Sequence, residues 1–205
     1  MEGRGSGTAT NATGAQPGGR APAPGPLELV RQFVNSLDVE EQHEQLSDPE
    51  RLGAWLSERG LLRSGERLGR ADLHRAVEVR EALRVLLAAN AGEPVDAAAV
   101  EVLNRAARTA RLAVRFDDAG RASLEPEPDG LECALGRLFT IVHLAMVDGT
   151  WERLKACRNP ECAWAFYDHS KNRSGRWCTM DVCGNAMKAR AYRRRRSRQP
   201  AGDDD

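Results

Sequence analysis

Apolar side chains recur at three- and four-residue steps through most of residues 27–150, which is the spacing of an α-helix. The pattern predicts helices near residues 27–37, 47–60, 72–91, 96–107 and 130–147. Short polar residues stand where two of these helices should begin: Ser47 as an N-cap whose capping box is completed by Glu50, and Asp96 as the N-cap of a later helix. Gly92 and Pro94 are expected to end the longest helix.

The hydrophobic period changes to two between residues 111 and 126. Every second residue is apolar and large from Leu112 to Phe116, which predicts a β-strand. Residues 117–120 (DDAG) have the composition of a turn, and a second strand is expected to return along residues 122–125. The predicted fold class is therefore mainly α, with one short β-hairpin near residues 111–126.

The two ends of the chain carry little apolar surface. Residues 1–26 contain no Val, Ile, Leu or aromatic residue and are rich in Gly, Ala and Pro, so we expect a disordered N-terminal tail. Residues 197–205 are expected to form an acidic disordered tail. The chain has no run of 18 apolar residues and no apolar segment behind its N-terminal charges, so we expect a cytoplasmic protein without a membrane partner.

The formal net charge of zero is a cancellation between two regions of the chain. Residues 151–198 hold 13 Lys and Arg against 4 Asp and Glu, a net charge of +9, and the remainder carries −9. Six of the ten aromatic residues also lie in residues 151–198. The sequence thus predicts a helical, acidic domain over residues 27–150, followed by a basic module over residues 151–196 whose charge suits a nucleic-acid partner.

Four cysteines of the basic module form two close pairs, Cys157 with Cys162 and Cys178 with Cys183, separated by fifteen residues. Two such pairs can enclose one tetrahedral ion, and thiolates favour zinc in a reducing cell. The alternatives are two disulfides, four unrelated thiols, or His169 replacing one cysteine as a ligand. We therefore expect one Zn²⁺ ion held by the four cysteines.

A site with four thiolate ligands has no open position for water or substrate, so the expected role of the zinc ion is structural. The sequence also offers no paired carboxylates and no nucleophile next to a base. We therefore expect no enzymatic activity. A module of under fifty residues with a single metal site should depend on that metal for folding.

The second cysteine pair leads into a segment of strong helix formers and arginines, predicted to be a basic C-terminal helix. Arginine forms bidentate contacts with phosphates and with guanine edges. The candidate nucleic-acid contacts on this helix and on the loop between the pairs are Arg173, Arg176, Lys188, Arg190, Arg193, Arg194, Arg195 and Arg196. Trp177 and Tyr192 are candidates for stacking on sugar or base. The alternative is a solvated helix, or one docked on the acidic domain.

Residues 151–168 (WERLKACRNPECAWAFYD) and 170–185 (SKNRSGRWCTMDVCGN) resemble the CGNR zinc-finger family. In that family the finger follows a domain called ABATE, which is associated with stress-induced transcription regulation. Residues 33–38 (FVNSLD), 55–62 (WLSERGLL) and 80–84 (REALR) are similar to landmarks of that domain. The resemblance covers about residues 27–196.

The resemblance implies that the zinc ligands are the four cysteines already named and that the protein is a DNA-binding transcription regulator, located on the nucleoid when bound. The motif that names the family reads Cys183-Gly184-Asn185-Ala186 here, so its arginine is replaced by Ala186, and Lys188 and Arg190 are candidates to compensate. DNA is the expected partner. An RNA-binding module and a protein-interaction zinc module remain alternatives. Homodimerisation and binding of an unidentified small-molecule signal stay open for the helical domain.

Overall fold

The computed structural model describes residues 19–63 and 65–196, with only the backbone of Arg195 and Arg196. The predicted acidic tail at residues 197–205 lies outside the described residues. In chain order the helices and strands are α1 (Leu27–Val34), β1 (Leu37–Asp38), β2 (His43–Glu44), α2 (Pro49–Glu58), α3 (Arg70–Asn90), α4 (Ala97–Ala110), β3 (Leu112–Phe116), β4 (Ala122–Pro126), α5 (Gly130–Val147), β5 (Leu154–Ala156), β6 (Ala165–Tyr167) and α6 (Asn185–Arg196). A 3₁₀ turn (Trp151–Arg153) precedes β5, and a π-helical turn (Met180–Gly184) precedes α6.

Helices α2 and α4 each begin at a short acidic side chain. Asp96 is the N-cap of α4, as predicted, and its carboxylate accepts a hydrogen bond from the N–H of Ala98 at 2.8 Å. The prediction for α2 is wrong by one residue, because Asp48 and not Ser47 is the N-cap and accepts from the N–H of Arg51 at 2.8 Å. The hydroxyl of Ser47 donates instead to the Asp48 carboxylate at 3.1 Å, and the negative charge of Asp48 is favourable at the positive end of the helix.

The predicted hairpin is confirmed as the antiparallel pair β3–β4, in which Val114 lies opposite Leu124. It packs on α5 at Gly136, where a Cβ atom would lie 2.7 Å from the Cβ of Pro126. Among the described residues, two further antiparallel pairs occur, β1–β2 and β5–β6. They are only two and three residues long, too short for alternation to reveal them in the sequence.

Helix α5 is long and apolar enough to match a membrane span by length and composition alone. In this fold one of its faces lies in the core, through Leu131, Ala134, Leu135 and Leu138. Its acidic residue Glu132 is engaged in the same structure, because it forms an ion pair with Arg75 of α3 at 2.6 Å. Core helices of globular proteins also match by length and composition, although Leu144, Met146 and Val147 of α5 are exposed here.

The hydrophobic core crosses the boundary at residue 150. It is built mainly from α1, α2, α3 and α5, and it also contains Leu154 and Ala156 of β5 with Ala165 and Tyr167 of β6. The β5–β6 hairpin belongs by sequence to the cysteine module, yet one of its faces completes the core of the helical domain. The two regions predicted from composition and charge therefore share one hydrophobic core.

The packed chain begins before Leu27, the residue at which the sequence predicts it to begin. Residues 20–26, the end of the predicted N-terminal tail, lie along the cysteine module, and Ala23 is buried. The N–H of Ala23 donates to Glu28 at 2.9 Å. The ring of His169 contacts the same segment, with its Nε2 3.1 Å from the carbonyl oxygen of Ala21. Residues 1–18 lie outside the described residues.

Candidate metal centre and basic surface

The four cysteines of the basic module come together in one buried cluster. Their Sγ atoms all lie within 4.8 Å of one another. Cys178 Sγ is 3.5 Å from Cys162 Sγ and 3.6 Å from Cys183 Sγ. A disulfide requires about 2.05 Å, so these separations exclude the disulfide alternative for the present arrangement. Zn–S bonds of about 2.3 Å in a tetrahedron place the sulfur atoms about 3.8 Å apart, which these distances approach.

The chemistry of the thiols also calls for a cation. Hydrogen bonds from Cys162 and Cys178 hold the pKa of the Cys157 thiol far below its usual range. The reciprocal hydrogen bond with Cys157 raises the pKa of Cys162. Four buried thiols this close together cannot all ionise without a cation, because like charges oppose one another and burial disfavours charge. A divalent soft metal removes this conflict by neutralising several thiolates at once. The donor set and its spacing fit one structural zinc ion.

Each cysteine pair sits on a short turn. Cys157 follows β5 and its N–H donates to the carbonyl of Trp164 at 2.9 Å, which extends the β5–β6 hairpin toward the metal. The N–H of Cys162 closes the turn by donating to Asn159 at 2.9 Å. Cys183 lies in the π-helical turn that leads into α6. The metal thus joins the hairpin of the helical core to the start of the basic helix.

Asn159 connects the metal cluster to α6. Its buried side chain donates from Nδ2 to Cys183 Sγ at 3.6 Å and accepts at Oδ1 from Arg190 at 3.3 Å. Arg190 also forms an ion pair with Glu161 on the first cysteine turn. Groups that hydrogen-bond to a metal ligand orient it and tune its affinity. Arg190 therefore holds α6 against the finger, a role that its position in the basic run does not reveal.

His169, the alternative ligand, lies away from the sulfur cluster. Its exposed ring contacts Tyr167 edge-on, with ring centroids 4.8 Å apart, and its Nε2 faces the carbonyl oxygens of Ala21 and Pro22. Within the described part of the chain, the metal-ligating cluster consists of the four cysteines. His169 serves to fasten the N-terminal segment to the finger.

A buried ion pair holds the loop between the cysteine pairs. Lys155 Nζ, on a side chain 4% exposed, donates to Asp168 Oδ2 at 2.9 Å, and Asp168 is fully buried. Asp168 also accepts from the N–H groups of Ser170 at 3.0 Å and Gly175 at 2.7 Å, and Lys155 donates to the carbonyl oxygens of Arg173 and Gly175. Burial opposes ionisation, but the hydrogen bonds from Ser170 and Lys155 hold the pKa of Asp168 well below its usual range.

The candidate nucleic-acid residues occupy several environments. Arg173 and Arg176 are exposed on the loop that Asp168 holds, and Arg173 forms an ion pair with Glu152 at 3.3 Å. Lys188, Arg193 and Arg194 are exposed on α6. The side chains of Arg195 and Arg196 lie outside the described part of the chain.

The two candidate stacking residues differ in exposure. Tyr192 is 62% exposed on α6. Trp177 is half-buried, because it packs against the cysteine cluster together with Trp164. Tyr192 consequently offers an accessible ring face, whereas part of the Trp177 ring is used to shield the metal ligands.

The joint between the helical domain and the finger uses buried polar side chains as well as the shared core. Asn35 pairs with the backbone of β6 in the manner of a neighbouring strand: its Nδ2 donates to the carbonyl of Ala165 at 2.9 Å, and its Oδ1 accepts from the N–H of Ala165 at 2.8 Å. Arg84 donates to the carbonyl oxygens of Ala163 and Val34 at 3.0 and 2.7 Å. Asn90 donates to the carbonyl of Leu154 at 2.9 Å.

Comparison with protein families finds two matches along the chain. Residues 27–149 match the family model ABATE, described as "Putative stress-induced transcription regulator". Residues 153–196 match the model of the CGNR zinc finger. A comparison with curated proteins gives no match. Asn35 and Arg84, which hold the finger in place, both lie within the segments similar to ABATE landmarks.

Proposed function

Because the chain belongs to the ABATE family and carries a CGNR zinc finger, we propose that it is a DNA-binding transcription regulator whose zinc ion fixes the direction of a basic helix. The supporting observation is the connection from Cys183 through Asn159 to Arg190, which ties α6 to the metal cluster. Zinc in this arrangement is structural. In this proposal the basic helix acts by binding a polyanion.

The exposed charge of the finger supports this proposal. Lys188 and Arg193 form no ion pair with a carboxylate of the described residues, and neither does Arg176. Exposed cations of this kind, on a fixed helix and its neighbouring loop, suit contacts with phosphates, which dominate affinity for DNA. Arg158 is different, because it forms an ion pair with Glu93 of the helical domain. This ion pair is an example, within the chain, of the alternative in which a basic residue of the finger binds an acidic protein surface.

Thiolate ligands persist in a reducing compartment, which supports a cytoplasmic location, on the nucleoid when DNA is bound. The exposed ring of Tyr192 is a specific reason to include RNA as a second candidate, because exposed aromatic rings stack on unpaired bases. A small-molecule signal and homodimerisation remain predictions for the helical domain.

The proposal is tested by binding a labelled duplex to the zinc-loaded protein over a range of salt concentrations. Replacing Arg193 and Arg194 with alanine should lower the slope of log affinity against log salt by about 1.8, since each phosphate contact contributes about 0.9. Zinc content should not change. The matched control replaces Arg105 and Arg108, two exposed arginines of α4, and should bind as the parent does.

Competition between the duplex and a single-stranded RNA of the same length separates the two nucleic-acid candidates. Preference for the RNA would replace DNA by RNA as the partner. Absence of retention on either nucleic acid at physiological salt would overturn the proposal in favour of a protein-interaction module.

A further inference from the structure

An open cleft of about 300 Å³ lies on the finger beside the N-terminal segment. Its lining combines cations, hydroxyl groups and an aromatic ring, and includes Arg20, Asp168, Ser170, Ser174, Arg176 and Trp177. Arg20 precedes the helical domain in the chain and lies outside both segments that match family models. The N-terminal segment thus contributes Arg20 to a cleft whose other lining residues belong to the finger.

Arg20 is held in place before any ligand arrives. Its guanidinium carbon lies 4.9 Å from the centroid of the Phe166 ring, and its Nη2 donates to the carbonyl of Trp177 at 3.3 Å. The segment behind it is anchored by His169 and by the buried Ala23. A guanidinium fixed in this way loses little side-chain freedom when it binds an anion.

The charge in the cleft is positive although a carboxylate lines it. Both oxygens of Asp168 accept hydrogen bonds from inside the finger, and its charge is balanced by Lys155. Arg20 and Arg176 form no ion pair with a carboxylate of the described residues. Two guanidinium groups thus remain to face a ligand, with the hydroxyl groups of Ser170 and Ser174 beside them.

The cleft borders the turn that leads into the basic helix. Met180 lines it and is the first residue of the π-helical turn from which α6 starts. Met180 also packs closely on Gly184, where an added Cβ would collide with its Sδ. A nucleic-acid strand that contacts the start of α6 would therefore pass close to the cleft.

We infer that this cleft binds a phosphodiester of the nucleic-acid backbone, with Arg20 and Arg176 as the paired ligands and Trp177 beside the adjoining sugar. The inference rests on the proposed function and adds an N-terminal arm to the recognition surface. Planar guanidinium groups match phosphate oxygens in a bidentate manner, and the open shape of the cleft lets a polymer pass through.

The test measures binding of a labelled duplex of mixed sequence by Arg20→Ala, Arg176→Ala and the double variant, as zinc-loaded full-length proteins. Each single change should weaken binding about tenfold, the loss of one charge-assisted hydrogen bond, and should lower the salt slope by up to about 0.9. Because both arginines face one phosphate, the double variant should lose less than the product of the two single effects. Arg20→Lys should recover part of the affinity.

Arg115→Ala, which removes an exposed arginine of β3, is the matched control and should bind as the parent does. If Arg20→Ala keeps the parent's affinity and salt slope, the cleft is not a phosphate site, whereas the proposed function survives. Multiplicative effects of the two arginines would overturn the shared phosphate. Failure of the parent protein itself to bind nucleic acid would instead defeat the proposed function, and this inference with it.

Discussion

The buried carboxylate of Asp168 gives the sharpest test of how the finger is held together. In Asp168→Asn the side chain keeps its size and loses its charge. Oδ2 of Asp168 accepts from Lys155 and Gly175, and Oδ1 accepts from Ser170. If the asparagine Nδ2 takes the place of Oδ2, it faces the donors of Lys155 and Gly175, and if it takes the place of Oδ1, it faces the N–H of Ser170. No orientation of asparagine satisfies the site.

The size of the expected destabilisation follows from the burial of Lys155, the partner of Asp168. Lys155 would lose its carboxylate partner on a side chain only 4% exposed, with carbonyl oxygens as its remaining acceptors. Breaking a buried ion pair from one side costs about 3–5 kcal/mol. We expect a loss of this size in the free energy of unfolding, together with faster amide exchange at Gly175, because the loop between the cysteine pairs loses its anchor.

The assay is urea unfolding of the zinc-loaded protein at pH 7, followed by tryptophan fluorescence. Asp118→Asn, the same change in an exposed turn, is the control and should alter stability by less than about 0.5 kcal/mol. The pKa of Asp168 is lowered by folding, so its contribution is complete above the unfolded value of about 3.9 and is lost as the pH falls from there through the folded pKa. The free energies of unfolding of the parent protein and of Asp168→Asn should therefore become equal only below about pH 4. If Asp168→Asn is within about 1 kcal/mol of the control variant Asp118→Asn at pH 7, the ion pair with Lys155 does not anchor the loop.

Three further outcomes are expected. A chelator should lower the melting temperature of the whole protein in one transition, because the finger's hairpin lies in the shared core. If the thermal unfolding of the helices, followed by circular dichroism, is unchanged by the chelator, the two regions do not unfold together. Asn159→Ala should weaken zinc binding about 10- to 100-fold, because it removes the hydrogen bond to Cys183. A competition titration with a zinc indicator measures this change. Unchanged zinc affinity would mean that Asn159 does not support the ligand Cys183. Gly136→Ala should destabilise the protein by about 1–3 kcal/mol in thermal unfolding, because its Cβ would meet Pro126, while leaving zinc content intact; a neutral effect would mean that β4 shifts without cost.

The sequence predicts the zinc ligands well and the surroundings of the zinc site poorly, and the reason is physical. Cysteine pairs at fixed spacing report their chemistry directly, because few other arrangements use them. Asn159 and Lys155 act through contacts that folding creates, with Lys155 reaching Asp168 thirteen residues away. Single asparagine and lysine residues carry no periodic signal, so nothing in the spacing identifies them.

Composition divides the chain into two regions near residue 150, whereas packing joins both regions in one hydrophobic core. The change from acidic to basic residues near position 150 is a property of the surface, and it correctly indicates two charge regions. Burial follows the apolar side of β5 and β6, where strands of three residues are too short to show alternation. The sequence places Arg20 in a featureless tail for a related reason: a Gly- and Pro-rich segment can bind a folded surface through its few side chains without forming an element of its own.

The shared core affects how the chain matures in the cell. Residues 27–150 leave the ribosome first, and at that moment Leu154 and Ala165, which fill part of their core, have not yet been synthesised. The hairpin fills this gap once it has been synthesised, and the zinc ion joins its Cys157 to Cys183. We therefore expect zinc depletion to lower the yield of the whole folded protein, because a chain whose hairpin has not docked leaves part of the helical core uncovered.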